Sequence, residues 1–232
     1  ENDICVYADV VMNHKAGADE TERFKVIEVD QNNRTKEISG PFDIDGWTKF
    51  TFPGRGETYS SFKWNVEHFN GTDYDEGTIR TGIFKILGEH KGWNDNVDHE
   101  FGNYDYLMFA NIDYNHPSVR EEMIEWGKWL TDTLKCDGYR LDAVKHIDYT
   151  FIRDFATEMR GTHGNHFYMF AEYWNPDLKA CQEYLQNVEF TVDLIDVPLH
   201  FKLYSASQAG RDFDLRTIFD DTLVQSNPLN AV

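Results

Sequence analysis

The stretch "CDGYRLDAVKH", residues 136 to 146, places an arginine and an aspartate two positions apart in what otherwise reads as a buried strand. Side chains two apart on a strand share a face, so Arg140 and Asp142 point the same way if residues 138 to 142 are extended. A charge inside a fold is costly unless paired, and this spacing supplies a pair. Two readings follow: a salt bridge that fixes the register of the strand, or part of a functional site.

The flanking segments set the context. Before the stretch, "NHPSVREEMIEWGKWLTDTL" has Pro117 at a first helical position and Val119, Met123, Trp126, Leu130 and Leu134 at spacings of four and three, which predicts an amphipathic helix. After it come a second helix near 150 to 160 (Phe151, Phe155, Met159) and a strand in "HFYMFAE". A third helix starts at Asn175-Pro176 with Leu178, Cys181 and Leu185 on one face, and a further strand lies in "EFTVDLID". Alternation at about 30 residues per unit means βαβ units and a parallel sheet, an α/β fold. Upstream, "ICVYADVVM" (4 to 12) predicts a strand buried on both faces, with Asn13 and His14 at its C-terminal end. From Lys15 to about His116 the chain is rich in Gly, Asp, Asn and Thr, with short alternating runs such as "RFKVIEVD" and "GIFKIL". A strand-to-helix loop takes roughly 2 to 6 residues, so this segment reads as an irregular β-rich inserted subdomain.

In parallel α/β folds functional groups gather at the C-terminal ends of strands, and Asp142 and Glu172 close strands in consecutive units. Neighbouring strands lie about 4.8 Å apart, so the two carboxyls can reach the ~5–5.5 Å separation used by retaining glycosidases. Arg140 favours the ionised form of Asp142, as a nucleophile requires. Glu172 follows the apolar "FYMFA", surroundings that raise a carboxyl pKa towards general-acid use. The alternative for Glu172 is an exposed residue at a strand end. Read alone, His14 fits a hydrogen-bonded core histidine and Trp174 a core aromatic.

Composition narrows the partners. With 22 basic against 41 acidic residues the net charge is −19, which argues against binding a nucleic-acid phosphate backbone and favours cations or neutral ligands. Aromatics reach 15%, enough to provide both core and stacking faces for sugar rings. Cys5, Cys136 and Cys181 are odd in number and contain no CxxC pair, so neither a disulfide framework nor a zinc site is indicated, and a reducing compartment is expected. No apolar run approaches the ~18 residues of a membrane span. Asn70-Gly71-Thr72 is a formal glycosylation sequon of a kind that recurs by chance.

"DVVMNH" (9 to 14), "GYRLDAVKH" (138 to 146) and "FAEYW" (170 to 174) resemble, in order, the first three signature regions of the α-amylase family of glycoside hydrolases. "GWTKFTFPGRGETYSSFKWN" and "GNYDYLMFANIDYNHP" resemble the B domain of its bacterial liquefying branch. The resemblance implies a partial (β/α)8 TIM barrel with an inserted irregular β-rich B domain. Residues 1–14 would be barrel strand 3, 15–116 the B domain, and 117–232 barrel helix 3 to about helix 6. The implied activity is endo-acting, retaining hydrolysis of α-1,4-glucosidic bonds in starch, glycogen or maltodextrins. Asp142 would be the nucleophile, Glu172 the acid/base and Arg140 the residue that orients Asp142. His14 would bind the sugar whose bond is cleaved, Lys145 and His146 would line the leaving-group side, and Trp174 would form an aromatic wall; Asp9 reads as structural. A transglycosylase or maltooligosaccharide-forming relative, and a non-catalytic glucan- or calcium-binding protein, are the alternatives.

The same resemblance implies one Ca²⁺ held by Asn13, Asp105, Asn111 and the carbonyl of His146, oxygen donors of the kind this ion takes. Asn111, Asn70, Asn94 and Asn115 stand where the liquefying enzymes carry acids, so the branch's additional metal positions are expected to be lost; for Asn94 and Asn115 ordinary turn chemistry is expected. These asparagines and "GWNDNVDHE" resemble the intracellular members of the branch, which favours the cytoplasm, although a missing N-terminus leaves secretion open. Setting the insertion aside leaves about 130 residues for a barrel that takes about 250. The fourth signature region, with a third catalytic aspartate, is therefore expected outside this stretch, the stretch alone is expected to be inactive, and the complete protein is expected to be a monomer on an α-glucan substrate.

Overall fold

In the computed structural model, which describes residues 4–232, eight strands precede the first α-helix. They are β1 (Tyr7–Val10), β2 (His14–Lys15), β3 (Glu20–Asp30), β4 (Asn33–Glu37), β5 (Phe42–Lys49), β6 (Phe69–Asp75), β7 (Arg80–Ile86) and β8 (Ala110–Ile112). Then follow α1 (Pro117–Leu134), β9 (Gly138–Leu141), α2 (Tyr149–His163), β10 (Tyr168–Ala171), α3 (Leu178–Asn187), β11 (Asp193–Leu194), α4 (Val197–Ala209) and α5 (Leu223–Ser226). The chain divides into two units.

The first unit takes residues up to Val11, Gly127–Lys145 and Tyr149–Val232. Its sheet is parallel, in the order β1-β9-β10-β11, with Gly138 in register with both Tyr7 and Tyr168. Successive strands joined by helices give the βαβ order that the alternating sequence predicts, and four strands are half of a closed eight-stranded barrel. Phe151, Ile152, Phe155, Ala156 and Met159 form the buried stripe of α2, as their spacing requires.

Several expectations are corrected here. The strand predicted over 4 to 12 is confined to Tyr7–Val10, and Ile4, Val6, Tyr7 and Val11 are exposed instead of buried on both faces. The reason is position: β1 lies at the edge of its sheet, with β9 as its one strand neighbour among the described residues. On α1 the buried face turns away from Leu134, which is 56% exposed, and onto Gly127 and Thr131. The Tyr139 hydroxyl donates to the Gly127 carbonyl at 2.7 Å and bonds the Thr131 hydroxyl at 2.6 Å, so small residues, not leucines, make room for the strand beneath. α3 starts after Asp177, whose carboxylate caps the N–H groups of Lys179 and Ala180, two residues later than Asn175-Pro176 suggests. "EFTVDLID" pairs only through Asp193 and Leu194, because Glu189 and Phe190 adopt positive φ as the chain leaves α3.

The second unit comprises Met12–Trp126 and His146–Asp148. It is an antiparallel sheet in the order β2-β8-β6-β7-β3-β4, with β5 also on β3. In "RFKVIEVD" Phe24 and Val26 are buried on one face of β3 and Ile27 and Val29 on the other, and Ile83 and Tyr106 join Val29 in the core with Trp93 against them. Asn70 of the sequon is fully buried and hydrogen-bonded, so it is not a glycan acceptor.

His68 gives this unit a pH dependence. It closes a short 3-10 turn (Val66–His68) in which its Nδ1 accepts the Asn65 N–H at 3.0 Å, while its ring packs against Phe62, Trp64 and His116. Burial, with His116 and Lys91 nearby, pushes its pKa down to about 4. Because this lies below the unfolded value of about 6.5, the contribution to stability is complete above pH 6.5 and is lost as the pH falls towards 4, in total roughly 3 kcal/mol. Urea unfolding at pH 7 and pH 4 is expected to show that loss, and His68→Gln to reduce it. An equal acid sensitivity in the variant would remove His68 as its source.

Candidate active site

The carboxylates are set by backbone rungs that run one residue past the strands. The Asp142 N–H donates to the Val10 carbonyl at 3.0 Å, the Glu172 N–H to Leu141 at 2.9 Å, and the Val144 N–H back to Glu172 at 3.1 Å. Between Asp142 and Val144, Ala143 takes a left-handed conformation (φ 51°), which turns the chain sharply as it leaves β9. The two residues are thus pinned side by side at the C-terminal edge of the parallel sheet.

Arg140 shares a face with Asp142 and reaches three acids. Its guanidinium donates to Asp9 at 2.8 Å and also to Asp142 and Glu172. Arg140, Asp142 and Glu172 are each about one-fifth exposed, so the group borders solvent and is not a sealed core pair. Partial burial works against the Arg140 charge, but the carboxylates of Asp9 and Asp142 outweigh it and hold its pKa above the ordinary value. Glu172 departs from expectation: its partner is a guanidinium, not the apolar run before it. Met169 and Ala171 are buried, whereas Phe170, opposite Arg140, is the residue whose face Glu172 shares, and this places Glu172 diagonally within reach of Arg140. Asp9, read from sequence as structural, is a direct partner of Arg140.

Lys145 is buried and its Nζ donates to the Trp174 carbonyl at 3.2 Å, which joins the segments after β9 and β10. The Trp174 indole is 45% exposed, with His200 and Phe201 beside it, an open aromatic face and not a core residue.

The remaining predicted site residues lie in the second unit. Asn13 Nδ2 donates to the His146 carbonyl at 3.1 Å and the Asp105 carbonyl at 3.4 Å, while Asn13 Oδ1 accepts from His14 Nδ1 at 3.2 Å. The His146 ring donates from Nδ1 to the Tyr104 carbonyl at 2.7 Å and packs edge-on against the Tyr104 ring. Asp105 is 2% exposed; its carboxylate accepts from Asn70 Nδ2 at 2.6 Å, the Asn94 N–H at 2.8 Å and Asn111 Nδ2 at 3.0 Å. Burial pushes its pKa up to about 7 despite these donors. Asn111 Oδ1 is buried and accepts no hydrogen bond among the described residues. A lone carboxylate, an unsatisfied amide oxygen and two main-chain carbonyls converging on one amide fit a hard cation such as Ca²⁺. No group of three His, Cys, Asp or Glu able to hold a metal occurs among the described residues.

Asn94 Oδ1 caps the Asn96 N–H, the turn chemistry its sequence suggests, but Asn94 is also buried against Asp105. Arg34 went unforeseen. It donates to the Tyr106 carbonyl at 2.6 Å with its guanidinium 4.9 Å from the Tyr104 ring centroid, clamping the segment that carries Asp105. No spacing signal marks it.

The model of the α-amylase catalytic domain matches residues 1–225. Over 232 residues the chain is 50% identical to a glucan 1,4-α-maltohexaosidase from Bacillus sp. (strain 707), covering 100% of this chain and 45% of that protein. It is 48% identical to an α-amylase from Bacillus licheniformis (99% of this chain, 44% of that one) and 42% identical to a cytoplasmic α-amylase from Escherichia coli (strain K12) (100% and 47%). The chain thus spans about half the length of the curated relatives it matches. A solved cyclomaltodextrin glucanotransferase aligns over 98% of this chain and 38% of its own with a TM-score of 0.51 at 16% identity, a likeness of fold.

Proposed function

From the premise that the chain belongs to the α-amylase catalytic-domain family, we propose that the protein hydrolyses α-1,4-glucosidic bonds of starch, glycogen or maltodextrins internally and with retention of configuration. The observation that carries this reading is the pair of carboxylates at adjacent parallel strand ends sharing the Arg140 guanidinium. A shared guanidinium keeps them near the ~5–5.5 Å spacing of retaining enzymes.

Asp142 attacks the anomeric carbon while Glu172 gives its proton to the leaving oxygen; the glycosyl–Asp142 ester is then opened by water, whose proton Glu172 takes. Arg140 aims the nucleophile and sets a positive charge against it in the first step. To act as acid, Glu172 needs the guanidinium to favour Asp142 and Asp9 over it. Trp174 offers an apolar wall to a sugar face, Lys145 and His146 border the leaving-group side, and His14 binds the sugar whose bond is cleaved. Residues 15–116 form the inserted B domain between barrel parts 1–14 and 117–232. Asn13, Asp105, Asn111 and the His146 carbonyl would hold one Ca²⁺, which supplies charge to bind their oxygens together and takes no part in bond cleavage.

The relatives' printed names support a glucan substrate, and the name of the cytoplasmic relative supports a cytoplasmic site of action; no described helix is long and apolar enough to cross a membrane. The test is to follow the complete protein on starch by chromatography and by NMR of the new reducing ends. Initial α-anomers and internal cleavage are expected; initial β-anomers, or no turnover, would refute the reading. Because one relative is named for maltohexaose release, the same chromatogram decides between random products and one favoured length.

A further inference from the structure

The cluster around Asp105 already contains what a cation would supply. A buried carboxylate needs positive charge, and here it comes from three N–H groups: Asn70 Nδ2 at 2.6 Å, the Asn94 main chain at 2.8 Å and Asn111 Nδ2 at 3.0 Å. Asn70 and Asn111 also bond each other, Asn111 Nδ2 to Asn70 Oδ1 at 2.8 Å, so the two amides and the carboxylate close a ring. Asn70 Nδ2 is further held by the Gly92 carbonyl at 3.1 Å. All three side chains are almost entirely buried.

A second amide does the other part of a cation's work. The carbonyls of His146 and Asp105 would repel if brought together bare, yet both point at Asn13 Nδ2. The amide orientations follow from their neighbours. Asn111 Nδ2 faces two oxygens, so turning that amide would set oxygen against oxygen, an arrangement that only a cation makes favourable. What the ring leaves over is Asn111 Oδ1, the one buried oxygen of the group with no donor.

We propose that this amide cradle holds the Asp105 segment and the Asn13 strand end in place without a bound cation, so that Ca²⁺ is an optional, weak ligand reached by turning the Asn13 amide. It rests on the reading of this cluster as the calcium site. A site with one formal charge among its donors binds Ca²⁺ weakly, and a protein that satisfies the site internally loses little when the ion is removed.

The test uses the complete protein, dialysed against chelator and titrated with CaCl₂ alone, with melting temperature and calorimetric Kd as readouts. Wild type is expected to stay folded after chelation and to gain less than about 5 °C on addition of Ca²⁺. Asn111→Asp and Asn70→Asp each exchange a donor for an acid beside Asp105. Both are expected to melt lower in chelator, to recover with Ca²⁺, and to bind it at least about tenfold more tightly than wild type. If a variant folds only with Ca²⁺ present, that is the same result in its extreme form. Unfolding of the wild type on chelation would overturn the cradle while leaving the calcium reading intact. No Ca²⁺ binding by wild type or either variant would overturn the calcium reading, and with it the optional-ligand half of the proposal.

Discussion

Asp142→Asn in the complete protein is expected to lower turnover of starch by more than about 10⁴-fold while leaving folding unchanged. Acid–base assistance alone contributes 10²–10⁴ in such reactions, and this change removes the covalent route that the acid serves. The amide is isosteric and keeps an oxygen for Arg140, so the ring of contacts with Asp9 and Glu172 has no cause to collapse. Melting temperature and affinity for a non-hydrolysed maltooligosaccharide are the controls. Loss of activity with both unchanged supports the nucleophile; activity within tenfold of wild type would end that assignment and revive a binding role. Glu172→Gln separates the two carboxylates. Its loss is expected to be severe on starch and slight on substrates whose leaving group needs no proton, such as glycosyl fluorides.

Gly138→Ala is expected to cost more than about 4 kcal/mol, a large share of a typical domain's ~5–15 kcal/mol of stability. A Cβ built on Gly138 would lie 1.8 Å from the Tyr168 carbonyl oxygen, a main-chain atom of the neighbouring strand. Tyr168 cannot step back without losing its own N–H bond to the Asp137 carbonyl, at 3.1 Å, and with it the alignment of β9 and β10. That alignment is what sets Asp142 beside Glu172, so the damage would be chemical as well as structural. Gly161→Ala in α2 is the contrast: nothing lies within 4 Å of its Cβ, and about 0.5–1 kcal/mol of stabilisation is expected from helix propensity. Urea unfolding of both variants measures the difference, and a Gly138→Ala midpoint near that of wild type would show that the strands can part here at little cost.

What could be read from the residues themselves is what depends on periodicity. Alternation placed Arg140 with Asp142, and the spacing of Phe151, Phe155 and Met159 defined the buried stripe of α2. What could not be read depends on contacts between segments. Leu130 and Leu134 look like core on a helical wheel, but Gly127 and Thr131 are buried because Tyr139 rises between them. The reach of Arg140 to Glu172 is diagonal across two strands, and no one-strand pattern reports it. Ala143 at positive φ carries no signal, since Gly or Asn is the usual mark of that conformation. Asn13 and Asp105 are 92 positions apart, and only resemblance to a family joined them.

The pairing of β1 with β9 also bears on how the protein is made. Strand β9 lies 131 positions further on, as the Asp9–Arg140 contact shows, and residues 12–126 of the second unit are synthesised in between. At roughly 5–20 residues per second the ribosome takes on the order of 7–26 s to cover that interval. Throughout it β1 waits for β9, while the strands of the antiparallel sheet, the last of which ends at Ile112, are made and can pair first. The loop between β1 and β9 is then closed by a folded body instead of a flexible chain, which lowers the entropy lost on pairing them. The hazard is the wait itself: until β9 emerges, the edge of β1 that it covers stays unpaired, a template to which a chaperone or another chain can bind.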